Sequence, residues 1–217
     1  LIKMIKSNIS NNSSKKFFHG KNYNYKKNSK GFVYKDELGV LNLPFPNLSG
    51  DFQISNVSTA IATTRNLSQF NVSDDHIKKA ITKIKSEGRL QTITKGKLRK
   101  YVAENNQILI DGAHNALAAY AVKKYLEGLN SGRKIFMVLG MMANKEHKEF
   151  IHVFKNLVHS IVAIDIPNQV NFLEKEKLSK IANSCGIPSK TENSIETALK
   201  NIAKENKNAI IFCTGSL

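Results

Sequence analysis

Three polar side chains crowd into five residues, Asp111-Gly112-Ala113-His114-Asn115. The stretch in front, Ile108-Leu109-Ile110, is apolar and reads as a buried strand. Behind it Ala116, Leu117, Ala119, Ala121, Val122, Tyr125 and Leu126 give a helix an apolar face. Strand, polar turn, helix is how open α/β sheets build ligand sites at the carboxyl ends of their strands. Asp111, His114 and Asn115 are therefore expected on that rim, with the helix N-terminus facing the ligand. Asn115 also fits a plain helix cap, but a cap does not explain why Asp, Gly and His share the turn. Gln53 and Asn56 are three apart and share one face of a helix's first turn. Amides at that spacing can read a planar heterocycle, although capping and a solvated face account for the pattern more simply. Arg89 sits in Gly88-Arg89-Leu90, which breaks the surrounding pattern and reads as a hinge between two units. Lys145 is one of many lysines, and most lysines are solvated. Ser216 equally suits a turn cap.

The elements that must position these residues follow from periodicity. Gly31–Tyr34 and Val40–Leu43 read as short strands around the turn Asp36–Gly39. A helix follows with Val57, Ala60, Ile61, Ala62 and Leu67 on its apolar side, and Val72–Ile84 is a second, acidic at its start and basic at its end. Lys97–Ala103 and Gln107–Ile110 read as strands joined by Glu104-Asn105-Asn106. Beyond them strand and helix alternate. The strands are Lys134–Leu139, Ser160–Asp165 and Ala209–Cys213. The helices are an amphipathic one through Phe150, Ile151, Phe154 and Leu157, then Leu173–Ser184, and Ser194–Lys204 capped by Ser194. This alternation implies a mostly parallel sheet covered on both faces. Its strands end in Asp111-Gly112, Gly140, Asp165 and Thr214-Gly215, which should gather on one edge. The apolar positions Val57, Ala60 and Ile61 are expected to lie exposed, in an N-terminal unit with few strands.

The chain has 217 residues, 41% hydrophobic, enough for one large domain or two small ones and too apolar for disorder. No apolar run approaches a membrane span. Leu1–Lys6 is too short and too charged for a signal peptide. Cys185 and Cys213 give neither a disulfide framework nor a metal spacing, so a reducing cytoplasm is the expected compartment. The formal charge of +16 invites a nucleic-acid reading. The charge is spread rather than clustered, however, and suits anionic small ligands such as nucleotides and carboxylates. Ser10–Ser14 is a turn-rich patch. Lys15-Lys16-Phe17-Phe18-His19 and Tyr23-Asn24-Tyr25-Lys26-Lys27 interleave bases with aromatics. That pattern fits single-stranded RNA binding, and fits an exposed β-hairpin better because no complete RNA module accompanies it. The chain starts at Leu1 and stops at Leu217 directly after an apolar run, and both ends read as cut.

Several segments together resemble one family. Leu48-Ser49-Gly50-Asp51-Phe52-Gln53-Ile54-Ser55-Asn56 resembles the Gly-x-His-Gln-x-x-Asn segment of folylpolyglutamate and dihydrofolate synthases, amide ligases of the Mur ligase superfamily. Gly88-Arg89-Leu90 is similar to their Pro-Gly-Arg-Leu linker, and Asp111-Gly112-Ala113-His114-Asn115 is similar to their Asp-Gly-Ala-His-Asn motif without change. Gly140-Met141-Met142-Ala143-Asn144-Lys145-Glu146 resembles Gly-Met-Leu-x-Asp-Lys-Asp, and Thr214-Gly215-Ser216-Leu217 resembles Thr-Gly-Ser-Leu. The segments come in the family's order, from about residue 31 onward. Phe52 stands where the family has His, Asn144 where it has Asp, and Ala116 where it has Pro; Ser86 and Glu87 replace the aromatic before the linker. The family's N-terminal phosphate loop has no counterpart in these residues.

The resemblance implies a Rossmann-like, mostly parallel α/β domain at 89–217, the glutamate-side domain lacking its tail. Residues 1–88 are then the end of a central ATP-binding α/β domain. It implies ATP-driven amide formation: a carboxylate of dihydropteroate or a folate becomes an acyl phosphate, and the amino group of L-glutamate displaces phosphate. It assigns Gln53 and Asn56 to adenine, Arg89 to the phosphates, and Asp111 to the ribose or the hinge. It places His114 between nucleotide and glutamate as the catalytic residue, and gives Lys145 and Ser216, with His114, to the glutamate carboxylates. ATP and Mg2+ are the implied cofactors, with the magnesium ligands upstream and none in this chain, so the isolated chain is expected to be inactive. Membrane partners are not expected and nucleic acid is disfavoured. The alternatives are an inactive relic, a basic nucleic-acid-binding module, and another Mur-type ligase.

Overall fold

The computed structural model describes residues 15–129 and 132–216. The patch expected at Ser10–Ser14 and the segment Leu1–Lys6 lie outside the described residues. The chain forms two compact units, one reaching to Asn47 and including Gln53–Ile84, the other made of Leu48–Phe52 and the chain from Lys85 onward.

Unit 1 is built on an antiparallel sheet in the order β1-β2-β3, with β1 Tyr23–Asn28, β2 Gly31–Asp36 and β3 Gly39–Pro44. The period of two sends Tyr23, Phe32, Tyr34, Leu41 and Leu43 to one face, where they meet Ile54, Val57, Ile61 and Ala62 of α1 (Phe52–Arg65). Ile77 and Ile81 of α2 (Asp74–Lys83) complete this core. Each of the Val, Leu, Ile and Phe side chains among them contributes about 1.5 to 3 kcal/mol on burial. Val57 and Ile61 are thus buried within their own unit, against the exposed face expected for them; of that trio only Ala60 is exposed. The interleaved bases and aromatics of 15–27 are likewise explained. Tyr23 faces the core, Tyr25 stacks on His19 at 4.8 Å, and Asn24 and Lys26 face outward. Of these rings Tyr23 is committed to the core, and Tyr25 and His19 to each other.

Unit 2 holds a six-stranded sheet in the order β4-β5-β9-β6-β7-β8, parallel except for β4. The strands are β4 Gln91–Thr92, β5 Gln107–Asp111, β6 Lys134–Gly140, β7 Ser160–Ala163, β8 Ser189–Thr191 and β9 Ala209–Gly215. On one face α3 (Ala116–Leu129), α4 (His147–Val153) and α5 (Lys175–Ser184) pack on Leu109, Met137, Leu139, Ile161 and Phe212. On the other, α6 (Ile195–Glu205) packs on Ile108, Val138, Val162 and Ile211. Coverage on both faces is why these strands read as continuous apolar runs. The α6 crossover returns the chain so that β9 inserts between β5 and β6. The strand expected at Lys97–Ala103 is instead a single 3-10 turn, Leu98–Tyr101, and the edge partner of β5 is β4. Arg99 folds that segment back, donating to the carbonyls of Ala103, Glu104 and Asn106. The strand β8, only three residues long and polar, carried no periodic signal. The helix expected from Leu173 begins at Lys175, and the strand expected to Asp165 stops at Ala163.

Candidate functional site

The carboxyl ends of β5, β9 and β6 do gather on one edge: Asp111 pairs with Thr214 and Gly140 with Gly215. The turn after β5 is sewn to that edge. Gly215 N–H and the Thr214 hydroxyl both donate to the Ala113 carbonyl, at 3.1 and 3.2 Å, and Ser216 N–H donates to the Gly140 carbonyl at 2.9 Å. Gly215 has φ +113°, and a Cβ there would lie 2.0 Å from the Gly140 oxygen, so only glycine lets β9 leave the sheet this close to β6.

Asp111 is buried at 4% exposure. Its Oδ1 accepts from Ala113 N–H at 2.8 Å, which shapes the turn, and its Oδ2 accepts from Leu90 N–H at 2.9 Å. Gly112 N–H then donates to the Gly88 carbonyl at 2.9 Å, and Gln91 Oε1 accepts from Gly88 N–H at 3.0 Å. Gly88-Arg89-Leu90, expected as a hinge, is therefore strapped to the turn from both sides. Leu90 is buried with φ +46°, a conformation uncommon outside glycine and held here by the Asp111 carboxylate. Arg89 lies exposed between these anchors; its Nη1 is 3.8 Å from where a Cβ on Gly112 would be. Burial pushes the Asp111 carboxyl above the ordinary 3.8, against the lowering effect of the two amide hydrogen bonds and the nearby Arg89 charge. The sequence placed the Asp111 side chain on the ligand rim; in the structure each of its oxygens is engaged by backbone first.

Asn115 Oδ1 accepts from Ala118 N–H at 2.9 Å, so it caps α3. His114 is half-buried, with Nδ1 at 3.0 Å from the Gly112 carbonyl, which leaves Nε2 as its outward nitrogen. Lys145 is half-buried in the loop after β6, where His147 Nε2 lies 2.9 Å from the Met142 carbonyl. The Ser216 hydroxyl is buried without a hydrogen-bond partner among the described residues. Unit 2 thus holds Arg89, Asp111, His114, Lys145 and Ser216. Gln53 and Asn56 lie in unit 1, where Asn56 Nδ2 donates to Gln53 Oε1 at 3.0 Å. Gln53 is buried at 3% exposure and Asn56 is exposed, so the pair presents one amide to solvent. The Gly88 and Leu90 backbone positions were missed by sequence reasoning; the Gly-Arg-Leu break was their only signal.

Among the described residues no group of three or more His, Cys, Asp or Glu could hold a metal ion, and no helix is long and apolar enough to cross a membrane. Cys213 is fully buried, and burial pushes its thiol up to about 12, which leaves it inert.

A mostly parallel sheet with a polar turn strapped at its carboxyl edge defines an open α/β domain, a class that places ligands at that edge. The family profile described as "Mur ligase, glutamate ligase domain" matches residues 88–217, and the chain belongs to that family. A curated relative, the dihydrofolate synthase/folylpolyglutamate synthase of Buchnera aphidicola, is 27% identical over 106 residues, covering 49% of this chain and 23% of the relative. E. coli FolC in complex with ADP superposes with a TM-score of 0.81 at 20% identity, covering 99% of this chain and 48% of that one. The Yersinia pestis bifunctional folylpolyglutamate synthase/dihydrofolate synthase with Mn, AMPPNP and L-glutamate bound gives 0.81 at 17% identity, covering 99% and 48%. The chain spans about half the length of these solved relatives.

Proposed function

We propose that this chain is the C-terminal half of an ATP-dependent ligase that adds L-glutamate to dihydropteroate or folates through an acyl phosphate. The observation that carries the reading is the strapped turn, with an exposed guanidinium held beside a Gly-Ala-His sequence at the edge of a Mur ligase glutamate ligase domain. The relatives' printed names, which speak of folylpolyglutamate and dihydrofolate synthases, favour the folate branch over other Mur-type ligases.

The chemistry asks for positive charge on a transferring phosphoryl group and for groups that orient the incoming amine. Arg89 supplies the first: its backbone is fixed on both sides, and a guanidinium fork suits phosphate oxygens. Asp111 acts by fixing Leu90 and Ala113, which sets the course of the strap that carries Arg89. His114, Lys145 and the unpartnered hydroxyl of Ser216 lie on elements that end at the same edge and are assigned to glutamate. In unit 1 the exposed amide of Asn56, steadied by Gln53, is assigned to adenine. ATP supplies the phosphoryl group when bound. Mg2+ is assigned as the second cofactor, where it would offset charge on the phosphates; among the described residues no group of three or more His, Cys, Asp or Glu could hold it. A cytoplasmic setting fits these soluble substrates.

The test uses the longest protein that carries this chain, beside the 217-residue chain alone. Phosphate release from ATP is measured with glutamate and dihydropteroate varied separately. Glutamate-dependent release by the longer protein and none by the chain alone is expected, with His114→Ala raising the apparent KM for glutamate. Turnover by the chain alone, or release indifferent to glutamate, overturns the proposal.

A further inference from the structure

The proposed ligase reading uses the carboxyl edge of unit 2 and leaves its amino edge without a task. Two adjoining hollows of about 470 and 390 Å³ open there, and Lys134 and His159 line both. Three parallel strands begin at this rim, so Lys134 at the start of β6, His159 before β7 and Ser189-Lys190 at the start of β8 converge by topology although far apart in sequence. Each hollow falls within the rough 300–1,000 Å³ range of small-molecule sites.

We infer that this amino edge binds a small phosphorylated molecule, its phosphate set between Lys134, Lys190 and Ser189. Charge is the first argument. Arg133, Lys134 and Lys190 line the two hollows against one carboxylate, Glu205, and none of these cations forms an ion pair among the described residues. Lysine is a compact point charge that suits phosphate. Polar satisfaction is the second. The Ser189 hydroxyl is buried with no hydrogen-bond partner among the described residues. Arg133 Nε is also buried without one among the described residues, while its Nη2 donates to Gln107 Oε1 at 3.0 Å. Buried polar groups are nearly always paired, and two orphaned ones line this same rim. Shape is the third. His159 stands edge-on to Phe136, with ring centroids 5.2 Å apart at 72°, and gives a planar wall beside the cations for the remainder of the ligand.

The full 217-residue chain, labelled with 15N, is titrated with inorganic phosphate at constant ionic strength, against a parallel titration with chloride. Saturable amide shifts are expected at residues 133–136, 159–160 and 189–190, and absent with chloride. In the double variant Lys134→Ala/Lys190→Ala the apparent Kd should weaken by about tenfold or more, the loss of one charge-assisted contact at minimum. Both lysines are exposed, so the variant should keep the native spectrum; Ser189→Ala, expected to weaken binding by about threefold or more, is the independent check. Shifts that fail to saturate, that appear equally with chloride, that cluster at 111–115 and 140–146 instead, or that persist with unchanged Kd in the variants overturn the inference. The ligase assay above is indifferent to all of these outcomes.

Discussion

Each unit buries an aspartate at the end of a strand, and the two are compensated differently. Asp36 ends β2 of unit 1 with its side chain 5% exposed, and it is met chiefly by side chains, Arg65 Nε at 3.0 Å, Arg65 Nη2 at 3.3 Å and the Tyr34 hydroxyl at 3.1 Å, beside one main-chain donor, Leu38 N–H at 2.9 Å. Asp111 ends β5 of unit 2 and is met by main-chain amides. A guanidinium neutralises a buried carboxylate with charge and ties the end of α1 to the sheet. Amides bring partial charges only, but they fix backbone, and backbone geometry is what a ligand-binding turn must hold. The first aspartate stabilises a fold; the second shapes the edge on which the proposed chemistry depends.

The largest effect is expected where compensation is ionic. Arg65→Met leaves the Asp36 carboxylate buried without its counter-charge, and should destabilise unit 1 by about 3 to 5 kcal/mol, read from urea unfolding followed by tyrosine fluorescence. A loss below about 1 kcal/mol would mean Asp36 is solvated and the contrast is false.

Arg89→Ala comes next and should separate function from stability. An exposed arginine contributes about 0.5 kcal/mol or less to folding. Loss of its proposed phosphate contact should cost about 2 to 4 kcal/mol in turnover, roughly 30- to 1000-fold, in the longer protein. A fall in melting temperature with normal turnover would reverse that assignment.

Asp111→Asn probes the compensation by main-chain amides. One of the two N–H groups must then face an amide NH2, so unit 2 should lose about 1 to 3 kcal/mol, with hydrogen exchange rising first at Leu90 and Ala113. This is more than a rim carboxylate would cost, and an unchanged stability would return Asp111 to the ligand alone.

The smallest effect is a pH dependence. Burial, then the Asp36 charge and hydrogen bond, hold the Tyr34 hydroxyl well above the ordinary 10.0. The folded chain therefore keeps a proton that the unfolded chain gives up. That stability is fully present below pH 10 and is lost as pH rises toward the folded value. Tyr34→Phe should remove this alkaline slope at a neutral-pH cost of about 0.5 to 1.5 kcal/mol. Retention of the slope in the variant would point to another group.

The sequence by itself determined the β5–turn–α3 unit, the α6 cap at Ser194, the alternation in unit 2 and the common edge of its strand ends. All of these rest on local signals: periodicity, capping chemistry and glycine at strand exits. Which way a polar side chain turns, and what a short polar segment pairs with, are long-range matters. Asp111 could be placed on the rim from sequence, but its bond to Leu90 spans 21 residues and depends on a left-handed leucine that no local rule expects. Val57 and Ile61 had the right periodicity for a buried face, and only the sheet of β1–β3 could show what buries them. Lys97–Ala103 alternated enough for a strand, yet the Arg99 bonds to three carbonyls closed it into a turn. The tertiary structure alone decided that Asn115 spends its side chain on a helix cap and that Arg89 is held out beside the turn. Hydrogen-bond partners are chosen by proximity in the fold, and that proximity is written in no single stretch of the chain.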